Sequence, residues 1–76
     1  MKLILEPTDR IVHVNGGRAR IWEGRTESGI PCHALIVRVG VEQVFNTEQF
    51  DRELQECRPP SVEITQLYAA GARLIL

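Results

Sequence analysis

The sequence predicts an α+β fold: a small antiparallel β-meander with one amphipathic helix and additional C-terminal strands. Three features carry this. Asn15-Gly16-Gly17 lies between β-branched runs, residues 18–39 alternate with period two over long stretches, and residues 46–57 change to a helical period that Pro59-Pro60 closes.

Taken in order, Leu3, Ile4 and Leu5 are apolar enough to join a sheet, and Glu6-Pro7-Thr8-Asp9 reads as the first turn. Residues 10–14 form the next strand. Asn15-Gly16 turns it back, because both residue types tolerate the positive φ of a tight hairpin turn. The returning strand, 18–25, places Ala19 and Ile21 on one face and Arg18, Arg20 and Trp22 on the other. Glu27-Ser28-Gly29-Ile30-Pro31 is a second turn. Residues 32–39 make the most hydrophobic strand, expected at the centre of the sheet, with Cys32, Ala34, Ile36 and Arg38 on one face and His33, Leu35, Val37 and Val39 on the other.

The helix has a well-marked start. Asn46 is placed to cap it, Gln49 to return the bond three residues on, and Phe45 to staple onto Phe50. Phe50, Leu54 and Cys57 share one stripe, while Asp51, Arg52, Glu53 and Glu56 face water. Arg58 falls beside the negative end of the helix dipole. After the prolines, residues 61–68 alternate Val62, Ile64 and Gln66 against Glu63, Thr65 and Leu67, which reads as a strand. Residues 69–72 turn, and 73–76 form a last short strand able to lie beside Leu3, Ile4 and Leu5.

Length and composition bound the rest. Seventy-six residues suffice for one domain, 1–76, and a hydrophobic fraction of 43% with 25% charged residues is that of a folding chain. So small a core contributes only about 3–5 kcal/mol, so a homo-oligomer, most simply a two-fold dimer, is expected. The net charge of −1 disfavours a bulk electrostatic grip on nucleic acid. Of the nine basic residues, Lys2 alone is lysine, which favours planar, bidentate contacts by arginine over a diffuse positive surface. Cys32 and Cys57 form no C-x-x-C pair, so buried free thiols are expected. The short apolar start is cut by Glu6, Pro7 and Asp9, and no stretch is long enough to span a membrane. A cytoplasmic location is expected by elimination.

Little in the sequence suggests catalysis. His13, Cys32, His33 and Cys57 match no zinc spacing, adjacent Cys32 and His33 point to opposite faces of a strand, and no cofactor is expected. Gly16-Gly17 opens a strand, whereas nucleotide-binding loops open a helix. The group best suited to binding is Arg18, Arg20 and Trp22 on one strand face, with Arg38 on the neighbouring strand able to join them. Guanidinium beside indole suits a phosphate, a nucleobase or an acidic protein surface. The alternative is that Trp22 packs inward, the arginines solubilise the sheet, and Glu23 and Glu42 pair with them. The acidic helix face, Glu48, Asp51, Glu53 and Glu56, is either simply solvated or a mimic of nucleic-acid phosphates.

Val-Asn-Gly at residues 14–16, Ala-Arg-Ile-Trp-Glu-Gly at 19–24 and Gln-Phe-Asp-Arg-Glu-Leu-Gln-Glu at 49–56 give the stretch from Val14 to Pro60 a pattern that resembles small phage and prophage proteins of Gram-negative bacteria. That family brings no activity or site residues. The resemblance implies an accessory protein that acts on its host by binding. The expected partner is a host protein, which the chain inhibits or modulates. The alternatives are an oligomeric sponge for an anionic nucleotide-type small molecule and a small DNA-binding regulator, the last disfavoured by charge.

Overall fold

In the computed structural model, residues 1–71 are described, and the chain is α+β. Strands β1 (Leu3–Val14), β2 (Gly17–Thr26) and β3 (Pro31–Ile36) form one antiparallel sheet in the order β1-β2-β3, followed by helices α1 (Thr47–Leu54) and α2 (Val62–Ala69). The β1-β2 hairpin turns where the sequence predicts. Asn15 has φ 50° and Gly16 φ 80°, the two left-handed positions of a tight turn, and Val14 pairs with Gly17. The second turn closes through Thr26 N–H to the Ile30 carbonyl at 2.8 Å, and the Thr26 hydroxyl accepts the Ile30 N–H at 3.1 Å. Short turns between successive strands put β2 in the middle. The expectation that residues 32–39 form the central strand is therefore corrected: β3 is shorter, and among the described residues it lies at an edge.

Glu6-Pro7-Thr8-Asp9, expected as a turn, lies inside β1, where it makes an irregularity. Pro7 pairs with Trp22 and Ile11 with Arg20, so Thr8, Asp9 and Arg10 face Ile21 alone. Proline has no N–H for a ladder, and a register shift is a place where a strand tolerates it. Thr8, fully buried, repairs the gap: its hydroxyl donates to the Ile21 carbonyl at 2.7 Å and accepts the Arg10 N–H at 3.3 Å. The same irregularity receives the chain after α1. Thr8 and Arg58 form a parallel bridge, with Arg58 N–H to the Pro7 carbonyl at 3.3 Å and Asp9 N–H to the Arg58 carbonyl at 2.8 Å.

That bridge explains why α1 stops early. Asn46 caps it as expected, its Oδ1 accepting the Gln49 N–H at 2.9 Å, but among the described residues the Gln49 side chain returns no bond and Phe45 stays 64% exposed, a poor staple. The residue before a proline is driven out of the helical region, so Arg58 is extended and gives its backbone groups to β1. Cys57 thus falls outside the helix and is exposed, and Cys32 is half-buried, which corrects the expectation of two buried thiols.

The predicted strand over residues 61–68 is also corrected, because this segment is α2. Ser61 caps it, its Oγ accepting the Ile64 N–H at 3.2 Å. Ile64 and Tyr68, one turn apart, face inward, whereas Val62, which period two would have aligned with Ile64, is 66% exposed. The strand predicted at residues 73–76 lies outside the described residues. Among those described, the buried apolar side chains are Ala19, Ile21 and Ile64, a core between the sheet and α2. No helix among them is long and apolar enough to cross a membrane.

Candidate binding site

Period-two geometry sends alternate residues of β2 to opposite faces, and the two faces differ in chemistry. On the inner face, Ala19 and Ile21 are buried and Glu23 ties down the C-terminal segment. Its Oε1 accepts the Ser61 N–H at 2.6 Å and a guanidinium N–H of Arg58 at 3.2 Å. Burial pushes the Glu23 carboxyl upward, but the Ser61 backbone and hydroxyl and the Arg58 charge outweigh it and hold the group below its ordinary value. Nearby, His33 Nε2 and the Tyr68 hydroxyl are 3.0 Å apart with the rings edge to face, and burial raises the Tyr68 hydroxyl above its ordinary value. These contacts engage Oε1 of Glu23, Nε2 of His33 and the Tyr68 hydroxyl. They dock α2 on the sheet.

The outer face is different. Arg20 and Trp22 of β2, Ile36 of β3, Arg38 just beyond it, Leu54 at the end of α1 and Cys57 past that end line an open depression of about 560 Å³. Strand pairing sets Ile36 beside Arg20 and Ala34 beside Trp22, which fixes the floor. Arg20 and Trp22 are half-buried and Arg38 is exposed. One Arg20 N–H donates to the Thr8 carbonyl at 2.8 Å, which orients the guanidinium and leaves its other donors for a ligand. Among the described residues the ion pairs are those of Arg58 with Glu6 and Glu23, so neither Arg20 nor Arg38 is neutralised by a carboxylate. Two cations, an indole and an aliphatic rim can hold an anionic or aromatic group by bidentate hydrogen bonding and stacking.

The structure thus brings Arg20, Trp22 and Arg38 to one depression. Arg18 is exposed on the same face and lines a smaller neighbouring hollow with Arg20, Ile36 and Val37. No guanidinium stacks on Trp22 among the described residues, where the aromatic contact is the His33–Tyr68 pair. Glu23, weighed as a partner for these arginines, points instead to Arg58. Sequence reasoning missed Leu54 and Cys57 as walls of the depression and Thr8 as the anchor of Arg20. Pro7 inside a β-rich run was the available signal of an irregularity at Thr8. Nothing in spacing announced Glu23–Arg58, a contact across 35 residues.

Compared with family models, curated proteins and solved structures, the chain matches none.

Proposed function

We propose that this chain is a non-enzymatic binding protein, an accessory protein of phage or prophage origin that holds and thereby inhibits or modulates a host protein. The observation that carries the reading is the depression that Arg20 and Trp22 share, with Arg38 at its margin, Arg20 having no ion-pair partner among the described residues. Trp and Arg are the residue types that most often dominate binding energy at protein interfaces, above all where a rim excludes water around them. Leu54 and Cys57 wall the depression on one side and Ile36 lies on its floor. An acidic or aromatic side chain presented by the partner would enter between Arg20 and Trp22, with Arg18 and Arg38 at the margins.

The test is affinity for a captured partner. Trp22→Ala, and Trp22→Ala with Arg20→Ala, should each weaken it at least about thirtyfold, the effect of losing one hot-spot side chain. Circular dichroism must show both variants folded, since Arg20 also bonds to Thr8. A folded double variant that binds as tightly as the parent chain overturns the site.

A second reading rests on the chemistry of the depression: an anionic nucleotide could place its phosphate on Arg20 and its base on Trp22. It predicts a rise in melting temperature with nucleotide, lost in Trp22→Ala.

A further inference from the structure

The outer edge of β3 leads into a segment with the chemistry of a strand and none of its bonds. Residues 37–42 read Val-Arg-Val-Gly-Val-Glu, with valines at alternate positions and no proline. Val37, Val39 and Val41 are 66%, 38% and 37% exposed. Among the described residues no backbone hydrogen bond engages residues 37–41, and the first one beyond them is Phe45 N–H to the Glu42 carbonyl at 3.1 Å. Nor does any described residue pair with β3 on the side away from β2. Exposed, unpaired and β-branched backbone of this kind is a template for another strand.

The segment is complementary to itself. Aligned antiparallel with an identical segment about Gly40, Arg38 stands opposite Glu42 and Val39 opposite Val41. Both pairs occur twice by symmetry, with charges on one face and valines on the other. Neither Arg38 nor Glu42 has an ion-pair partner among the described residues, and both are exposed.

We propose that two copies of this chain form a two-fold dimer by antiparallel pairing of residues 38–42 about Gly40, Arg38 of each copy meeting Glu42 of the other. A two-fold interface must be self-complementary, and this register satisfies that with both charge and side-chain volume. The dimer commits Arg38 to Glu42, which leaves Arg20 and Trp22 as the anchors of the depression beside it. Arg38 and Val39 border the depression as well as the seam, so the readouts keep the two proposals apart: self-association of Arg38 and Glu42 variants tests one, and partner affinity of Arg20 and Trp22 variants tests the other.

Sedimentation velocity of the full chain over a range of concentrations is the test, on the parent and on Arg38→Glu, Glu42→Arg and the double exchange. The parent should be a dimer. Each single reversal sets like charges opposite at two places and should raise the dimer dissociation constant about tenfold, and the double exchange should bring it back within about threefold. A monomeric parent at about 100 μM, above the dissociation constants of ordinary stable interfaces, contradicts the proposal. So does a dimer that the single reversals leave unchanged, or a double exchange no tighter than either. A second variant is independent of charge: Gly40→Cys, in a chain carrying Cys57→Ser, should cross-link to its twin under mild oxidation. Residues paired on the axis have Cα atoms about 4.5–5.5 Å apart, within disulfide reach. Failure to cross-link in the folded protein overturns the register.

Discussion

At the scale of single residues, Thr8 and Glu23 hold together what backbone ladders leave open. The Thr8 hydroxyl supplies Ile21 with the donor that the bulged strand cannot, and both residues are fully buried. Thr8→Val keeps the shape and removes the donor, so it should cost about 1–3 kcal/mol in urea unfolding, while Thr8→Ser should retain most of the stability. Glu23 is the joint between sheet and C-terminal segment, and its carboxyl is held below the ordinary value of 4.5. A depressed acid binds fewer protons folded than unfolded near that value. Its contribution is thus fully present above pH 4.5 and is lost as pH falls through the lowered value. Glu23→Gln can still accept the Ser61 N–H, so it isolates the charge. It should cost about 1 kcal/mol near neutrality, the difference between a charged and a neutral acceptor, and the gap between the two proteins should close in acid.

Among the elements, how far sequence reasoning reaches depends on where the deciding contacts lie. The β1-β2 hairpin is legible because Asn15-Gly16 carries its own dihedral preference, and the start of α1 because Asn46 caps from one residue away. Both decisions are local. The helix α2 is not so readily legible, since Val62, Ile64 and Gln66 fit period two nearly as well as Ile64, Leu67 and Tyr68 fit a helix. Ser61 directly after Pro59-Pro60, as a cap before Glu63, was the signal to weigh more heavily, and packing of Ile64 on the sheet completes the decision. The outer face of β2 was legible from alternation alone, whereas the end of α1 as its wall depends on Arg58 docking at Thr8, a contact no spacing reveals. Close pairing of β1 and β2 has its own residue. A Cβ on Gly24 would run into the Ile4 carbonyl oxygen and come within 3.0 Å of the Leu5 Cα. Backbone cannot yield as a flexible side chain can, so Gly24→Ala should destabilise by about 1–3 kcal/mol, read as a lowered melting temperature.

For the whole molecule, the described core is too small for the surface around it. Three buried apolar side chains, two isoleucines and an alanine, contribute roughly 4–7 kcal/mol before conformational entropy is subtracted, and the Cα radius of gyration of 13.5 Å exceeds the about 11 Å expected of a compact chain this long. Val37, Val39, Val44 and Phe45 are among the apolar residues left facing water, all in or next to the connection from β3 to α1. A surface of this kind gains stability by being covered, so the melting temperature should rise with protein concentration, as it does for any fold coupled to association. A melting temperature independent of concentration would leave the monomer as the stable unit. Function, on this account, rests on what the sheet presents outward: the edge beyond β3 to a second copy, and the Arg20–Trp22 depression to a partner.

Native mass spectrometry of the full chain, recovered gently from bacterial lysate beside its Trp22→Ala/Arg20→Ala variant, tests the central claim most directly. The account predicts that the parent retains a host protein of defined mass and that the folded variant emerges without it. A variant that carries the same partner at the same occupancy would contradict the claim, and the outer face of β2 would then be no more than a solvated surface.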